Sequence, residues 1–300
     1  MPELPDIVVY VESLERRIAG RVLEKVRVAS PYLLRTYDPP VAAVEGKRVL
    51  GLERLGKRII WKMEDDLYVA LHLMIAGRLR WEVSGKAIPA KVGLAAFDFE
   101  TGSLILTEQG TRRRASLHIL AGAESVTALD RGGIEPLEAT RAEFAHAIRR
   151  ENRTLKRALT DPRFVSGIGN AYSDEILHRA ALSPVQRTGQ LNDEELSRLH
   201  SATREVLATW TERLREEMGE GFPTKVTAFR PEMAVHGKYG RPCPVCASPV
   251  QRIRYADNET NYCATCQTGG RLLADRSLSR LLKDDWPKTV DELEELHIST

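Results

Sequence analysis

Between Pro5 and Ala19 apolar residues recur at Val8, Val11, Leu14 and Ile18, the three-to-four-residue step of a helix with one buried face, and Gly20 closes the run. Glu3 and Asp6 stand at its start, where the helix dipole favours negative charge. From about residue 22 to 135 the step becomes two. Leu67, Val69, Leu71 and Leu73 alternate with Tyr68, Ala70 and His72, and Arg48–Met63 and Leu94–Leu106 hold similar short apolar runs broken by glycine. This predicts an antiparallel β-sandwich.

From Arg141 to about Met218 the pattern is helical again, with Phe144, Ile148, Leu155, Leu159, Ile176, Leu177, Leu196, Leu199, Val206 and Leu207 as inward positions. Val165-Ser166-Gly167-Ile168-Gly169-Asn170 interrupts two helices, and Ala171 to Ala181 resumes the helical spacing. Two readings fit. One is an ordinary capped helical hairpin; the other is a helix–two-turn–helix in which glycines allow close backbone approach and Asn170 caps the next helix or points its amide at a phosphate.

Composition adds chemistry to this outline. All four cysteines fall in Cys243-Pro244-Val245-Cys246 and Cys263-Ala264-Thr265-Cys266, with sixteen residues between the pairs. Each C-x-x-C turn offers two thiolates to one ion, and the intervening segment is long enough for a hairpin, as in a zinc ribbon. Two disulfides are the competing reading. No apolar leader marks the chain as secreted, and a chain this long needs no covalent staple, so zinc is favoured. Four protein ligands leave no open position, which makes the single expected Zn2+ structural.

The expected class is therefore α+β and multidomain: an antiparallel β-sandwich with a flanking helix over residues 1–135, a helix–two-turn–helix domain over 136–229, a zinc finger over 230–268 and an extension over 269–300. Leu278, Leu281, Leu282, Leu293 and Leu296 predict short amphipathic helices in that extension, which is acidic from Lys283 to Thr300. No run of about eighteen apolar residues is present, so no membrane span is expected. A formal net charge of +2 identifies no partner, but its distribution is more informative. Arg149 to Arg163 holds six basic and two acidic residues, Arg112-Arg113-Arg114 is a basic triplet, and Arg252 and Arg254 lie in the expected zinc hairpin. Beside a zinc ribbon, three such clusters favour nucleic acid over merely solvated faces.

The start, Met1-Pro2-Glu3-Leu4-Pro5-Asp6, also has two readings. Pro2 can simply begin a helix. Alternatively, removal of Met1 leaves a secondary amine beside a carboxylate. An α-amino group ordinarily titrates at about 7.7–8.0, low enough to keep a nucleophilic fraction near neutral pH that can attack an aldehyde carbon and form an iminium.

The MPELPD start, the Gly56-Lys57 turn, the stretch His72-Leu73-Met74-Ile75-Ala76-Gly77-Arg78-Leu79, Gly167 to Tyr172 with Asp174-Glu175, and the cysteine pairs follow one another in a known order. Over about residues 1–268 the chain resembles, as a divergent member, the formamidopyrimidine-DNA glycosylase and endonuclease VIII family. The resemblance implies that Pro2 is a Schiff-base nucleophile, Glu3 a proton donor, and Lys57 a contact to the lesion phosphate that assists elimination. It further implies that Asn170 and Lys156 hold the DNA backbone.

Departures from the family pattern bear on the reaction. Asp6 stands where glutamate is usual, and Asn258 replaces the finger arginine that grips phosphates and aids δ-elimination. Arg252 or Arg254 is a candidate for the same phosphate. Ile75 takes the position of a DNA-wedging methionine, and Thr111-Arg112-Arg113-Arg114-Ala115 lacks the aromatic of the probing loop, leaving Arg112 or Arg113 to meet the opposite base or a phosphate. The segment Gly219 to Arg230 is short for an 8-oxoguanine-capping loop. With Pro2, Glu3 and Lys57 in place, the resemblance still implies a bifunctional DNA glycosylase and abasic-site lyase of base excision repair that removes damaged, chiefly oxidised, bases; Asn258 and the missing aromatic count against it. It would be monomeric, cytoplasmic and associated with the bacterial nucleoid, and would act on double-stranded DNA with damaged bases or abasic sites. The alternatives are a non-catalytic damaged-DNA-binding protein with the same fold, and a zinc-ribbon transcription factor, which leaves the N-terminus unexplained.

Overall fold

The computed structural model describes residues 1–110, 112–224, 226–255, 258–274 and 287–292. The helices expected from Leu278, Leu281, Leu282, Leu293 and Leu296 lie outside the described residues. Two compact units emerge. One comprises Met1–Gly132 with Thr209–Thr227; the other comprises Gly133–Ala208 with the described residues from Ala228 onward.

The first unit opens with α1 (Leu4–Ile18), followed by β1 (Val22–Leu23), β2 (Lys25–Val28), β3 (Lys47–Leu55), β4 (Arg58–Met63), β5 (Leu67–His72), β6 (Gly77–Glu82), β7 (Gly93–Phe99), β8 (Gly102–Glu108), β9 (Ser116–Ala121) and α2 (Ala123–Thr127). Its strands form two antiparallel sheets, ordered β1-β3-β4-β5-β9 and β2-β7-β8-β6, as the alternation predicts. Trp61 of β4 meets Phe97 of β7 edge-on at 5.0 Å and Phe99 at 6.1 Å, so the two inner faces share one core. On β4, Ile59, Trp61 and Met63 face this core, while Ile60 turns to a second cluster with Ala70, Leu120 and Val126 of α2. Burial on both faces explains why strict alternation is blurred there.

α1 lies against β3 and β4 and buries Ile7, Tyr10, Leu14 and Ile18. Its remaining polar side chains are tied down. Glu15 accepts the Leu52 N–H at 2.7 Å, Glu12 pairs with Arg215 at 2.6 Å, and Ser13 donates to the Gly221 carbonyl. The Phe222 ring lies tilted against Tyr10 at 5.8 Å and Val226 enters the core, so the described residues of the short 219–227 segment pack on this unit.

The second unit contains α3 (Arg141–Arg149), α4 (Leu155–Thr160), α5 (Asn170–Arg179) and the first part of α6 (Asp193–Met218), then the hairpin β10 (Gln251–Tyr255) and β11 (Asn258–Tyr262), and α7 (Ala264–Thr268). α3 begins with a reciprocal cap: Thr140 Oγ1 accepts the Glu143 N–H and Glu143 accepts the Thr140 N–H. After α7 the chain returns, with the Leu272 N–H donating to Lys288 and the Val290 N–H to Gly270. Leu272, Leu273 and Val290 cluster with Ile253, Tyr262 and Ala264, so the described part of the extension packs on the finger.

Trp61 is fully buried, and its indole N–H has no acceptor among the described residues. Trp61→Ala is expected to cost about 3–5 kcal/mol through the cavity it leaves, whereas Trp61→Phe should cost much less because the smaller ring leaves a smaller cavity and no hydrogen bond is lost in either case. Chemical denaturation of the two variants compares these costs directly.

Candidate active site and nucleic-acid interface

In the first unit, Pro2 and Glu3 are buried ahead of α1, and Pro5 occupies its first turn, where no intrahelical donor is required. Asp6, the third helical residue, accepts the Glu3 N–H through Oδ2 at 2.9 Å. The shorter carboxylate therefore reaches the helix start and closes it. Burial holds the Met1 amine below its ordinary range. The charges of Glu3 and Asp6 oppose that shift, while Arg78 and Lys57 reinforce it.

Lys57 comes from the turn between β3 and β4, where Leu55 pairs with Arg58 and only Gly56 has a positive φ (61°). This is the glycine-first pattern of a tight hairpin turn. Burial lowers the Lys57 pKa, with Glu3 acting against it. Nearby His72 is pushed down to about 4, chiefly by burial and then by Arg58, Lys57 and His118, and is neutral at neutral pH. The fold thus gathers Glu3, Asp6, Lys57 and Arg78 around the chain start; of these, Arg78 carried no signal in the sequence beyond its place in the His72–Leu79 stretch.

Ile75 is 58% exposed at the β5–β6 connection. That connection closes with the Gly77 N–H on the Leu73 carbonyl, and a Cβ at Gly77 would lie 2.3 Å from that oxygen, so only glycine fits. Arg112, Arg113 and Arg114 are exposed after β8. Glu108, itself buried, accepts the N–H groups of Arg114 and Ala115 and fixes the backbone from which these side chains project.

In the second unit, the α5 N-cap is Gly169, which makes Asn170 the first helical residue and replaces the capping role considered for it. Asn170 instead donates its amide to the Glu259 carbonyl of β11 at 2.8 Å. Lys156 Nζ donates to the Asn170 carbonyl and to Asp174 Oδ1, both at 2.6 Å. Arg252 stacks 4.0 Å from the Tyr239 ring centroid and lies 3.5 Å from Glu259, which Arg254 approaches at 3.7 Å. Asn258 is exposed at the start of β11, opposite Tyr255.

Two buried carboxylates on α5 organise the approach to the finger. Asp174 Oδ2 lies 2.7 Å from His236 Nδ1, and Glu175 accepts the backbone N–H groups of Ala234, Val235 and His236 at 2.8–2.9 Å. The sequence flagged Asp174-Glu175 only as part of a motif and gave no sign of these partners.

The sulfur atoms of Cys243, Cys246, Cys263 and Cys266 all lie within 4.8 Å of one another, with Cys246–Cys263 at 3.4 Å and Cys243–Cys266 at 3.9 Å. Tetrahedral zinc with sulfur at about 2.3 Å requires S···S separations near this range. The donor set fits one structural Zn2+.

Comparison with known proteins agrees with this anatomy. The chain matches the formamidopyrimidine-DNA glycosylase N-terminal domain over residues 1–117, the formamidopyrimidine-DNA glycosylase H2TH domain over 133–217, and the zinc finger found in FPG and IleRS over 240–269. It is 33% identical to a formamidopyrimidine-DNA glycosylase of Thermus thermophilus over 281 residues, covering 90% of this chain and all of that one. It is also 40% identical over 164 residues to an uncharacterized formamidopyrimidine-DNA glycosylase-like protein of Mycobacterium tuberculosis, covering 55% of this chain and all of that one. Lactococcus lactis Fpg solved with abasic-site DNA superposes with a TM-score of 0.78 at 25% identity, covering 89% of this chain and 99% of that one. The same bacterium's enzyme with oxidised-pyrimidine DNA gives 0.77 at 26% identity, with 89% and 100% covered. No helix among the described residues is long and apolar enough to cross a membrane.

Glu175→Ala removes the acceptor of three backbone donors, each orphaned group costing about 1–3 kcal/mol. The expected result is a lower denaturation midpoint together with lost hydrogen-exchange protection at Ala234, Val235 and His236. Unchanged protection at these amides would show that the carboxylate does not hold the segment.

Proposed function

The chain belongs to the formamidopyrimidine-DNA glycosylase family, and from that premise we propose that it is a bifunctional DNA glycosylase and abasic-site lyase whose nucleophile is the amine of Pro2 after Met1 is removed. The observation that carries this reading is the chain start itself: Pro2 and Glu3 are buried ahead of α1, and the charges of Glu3, Asp6, Arg78 and Lys57 all act on the Met1 amine that precedes them. The Pro2 lone pair attacks C1′ of an extruded nucleotide, forms the N–C1′ bond and expels the damaged base, which leaves with the proton that the Pro2 nitrogen gives up. Glu3 protonates the sugar oxygen as the ring opens. The resulting iminium acidifies C2′; loss of that proton sends electrons toward C3′ and expels the 3′ phosphate, with Lys57 placed to meet its charge. Zinc takes no part in these steps and serves the finger.

Oxidised pyrimidines and abasic sites are the proposed substrates, in line with the DNA bound by the Lactococcus lactis relatives. The second unit supplies Asn170 and Lys156, with Arg252, Arg254 and Asn258 on the finger, as proposed backbone contacts. Ile75, Arg112 and Arg113 are the proposed groups that enter the space left by the base. Because Arg252 and Arg254 both lie near Glu259 and Asn258 brings no charge, β-elimination is the proposed dominant outcome.

Borohydride trapping on abasic duplex DNA is expected to give an adduct that peptide mass spectrometry locates at Pro2, and Pro2→Gly, though it keeps a terminal amine, should slow trapping. The trapping rate should rise with pH as the Pro2 amine loses its proton and becomes nucleophilic. No adduct from processed, zinc-loaded protein would favour the damage-binding reading. Asn258→Arg is expected to raise the share of δ-elimination product on a denaturing gel; an unchanged ratio would show that a missing cation does not limit that step.

A further inference from the structure

His178 is the last ring on the face of α5 that meets the finger. Two turns after Asn170, its Nε2 lies 3.2 Å from Cys243 Sγ, with both residues buried (8% and 3% exposed). The imidazole is not a fifth member of the ligand set, because four sulfurs already satisfy a tetrahedral ion. A zinc-bound cysteine is a thiolate and can only accept a hydrogen bond. Nitrogen at this distance from such a sulfur must therefore carry the hydrogen.

We infer that His178 is a positioning residue of the zinc site, donating Nε2–H to the Cys243 thiolate and thereby tying metal retention to α5. Four thiolates around Zn2+ leave a net double negative charge in a site where Cys243 and Cys263 are buried, and a donor aimed at one sulfur spreads that charge without adding a ligand. The bond also specifies the tautomer: a neutral imidazole has a single N–H, here on Nε2. Gln267 makes a companion link. Its amide donates to Leu182, just past α5, while its oxygen accepts the Cys263 N–H. Each cysteine pair therefore has one hydrogen-bonded connection to the same helix or its immediate end. The inference goes beyond the proposed reaction and does not depend on it, since its readouts require no DNA.

Two measurements test it. In zinc-loaded, full-length protein with 15N-labelled histidine, long-range proton–nitrogen correlation should show the Nε2–H tautomer at His178, and replacement of zinc by 113Cd should reveal scalar coupling from that proton to the metal. An Nδ1–H tautomer would overturn the proposal, and this result needs no variant to fold. Separately, His178→Phe should bind zinc about 10–100-fold less tightly in competition with 4-(2-pyridylazo)resorcinol. In the Co2+ form its sulfur-to-metal charge-transfer band should move to lower energy. His178→Gln, which places an amide N–H at similar reach, should restore both readouts. Equal zinc retention by Phe and wild type would refute the hydrogen bond's role, and equal losses in Phe and Gln would assign the effect to packing.

Discussion

Asp174 and Glu175 are adjacent carboxylates held almost entirely out of water, a placement that costs several kcal/mol unless donors surround them. The second unit is arranged to provide those donors. Lys156 and His236 converge on Asp174, and three successive backbone N–H groups converge on Glu175. Once these bonds form, residues 234–236 are fixed against α5. The hairpin follows: Gly237 donates to Asn261 at 2.7 Å and Asn170 donates to Glu259. The finger is small, and its own clusters, Ile253 with Tyr262 and Val235 with Val250, are modest, so metal and helix contacts contribute what its core lacks.

The first unit solves a different problem. Chain ends usually fray, because few contacts oppose their entropy. Here the end is anchored by what comes immediately after it: Leu4, Ile7 and Tyr10 are buried on α1, and Asp6 closes the first turn onto Glu3. A rigid sandwich supports that helix, and a hairpin turn brings Lys57 within its field. The proposed nucleophile is thus held by burial rather than by a dedicated clamp.

The sequence disclosed features governed by local spacing. The cysteine pairs, the alternation of β5, the existence of α1 and the glycine-containing Gly56-Lys57 turn each reflect a short-range rule, and the structure contains the corresponding elements; on α1 the buried stripe runs through Ile7, Tyr10, Leu14 and Ile18, with Val8 and Val11 only partly covered. Pairings between distant polar groups were not legible. Periodicity assigns Lys156 to a helix, but cannot reveal that its ammonium meets Asp174 and the Asn170 carbonyl. Nor can it show that His178 reaches a cysteine sixty-five positions later. Asn170 illustrates the same limit: its residue type suits a cap, but Gly169 takes that place and the amide finds a carbonyl on another element. Such choices depend on which surfaces pack together, and an i, i+4 pattern carries no record of the opposite surface.

Glu108 joins a buried strand end to a surface loop through main-chain atoms alone. Because the carboxylate binds peptide N–H groups, it is indifferent to the side chains at positions 112–114. Frame and content are therefore separable: apart from Arg113, whose guanidinium donates to the Lys91 carbonyl, substitutions there alter what the loop displays while leaving the Glu108 support in place. A lineage can revise this part of its surface one residue at a time, without first passing through a poorly folded ancestor.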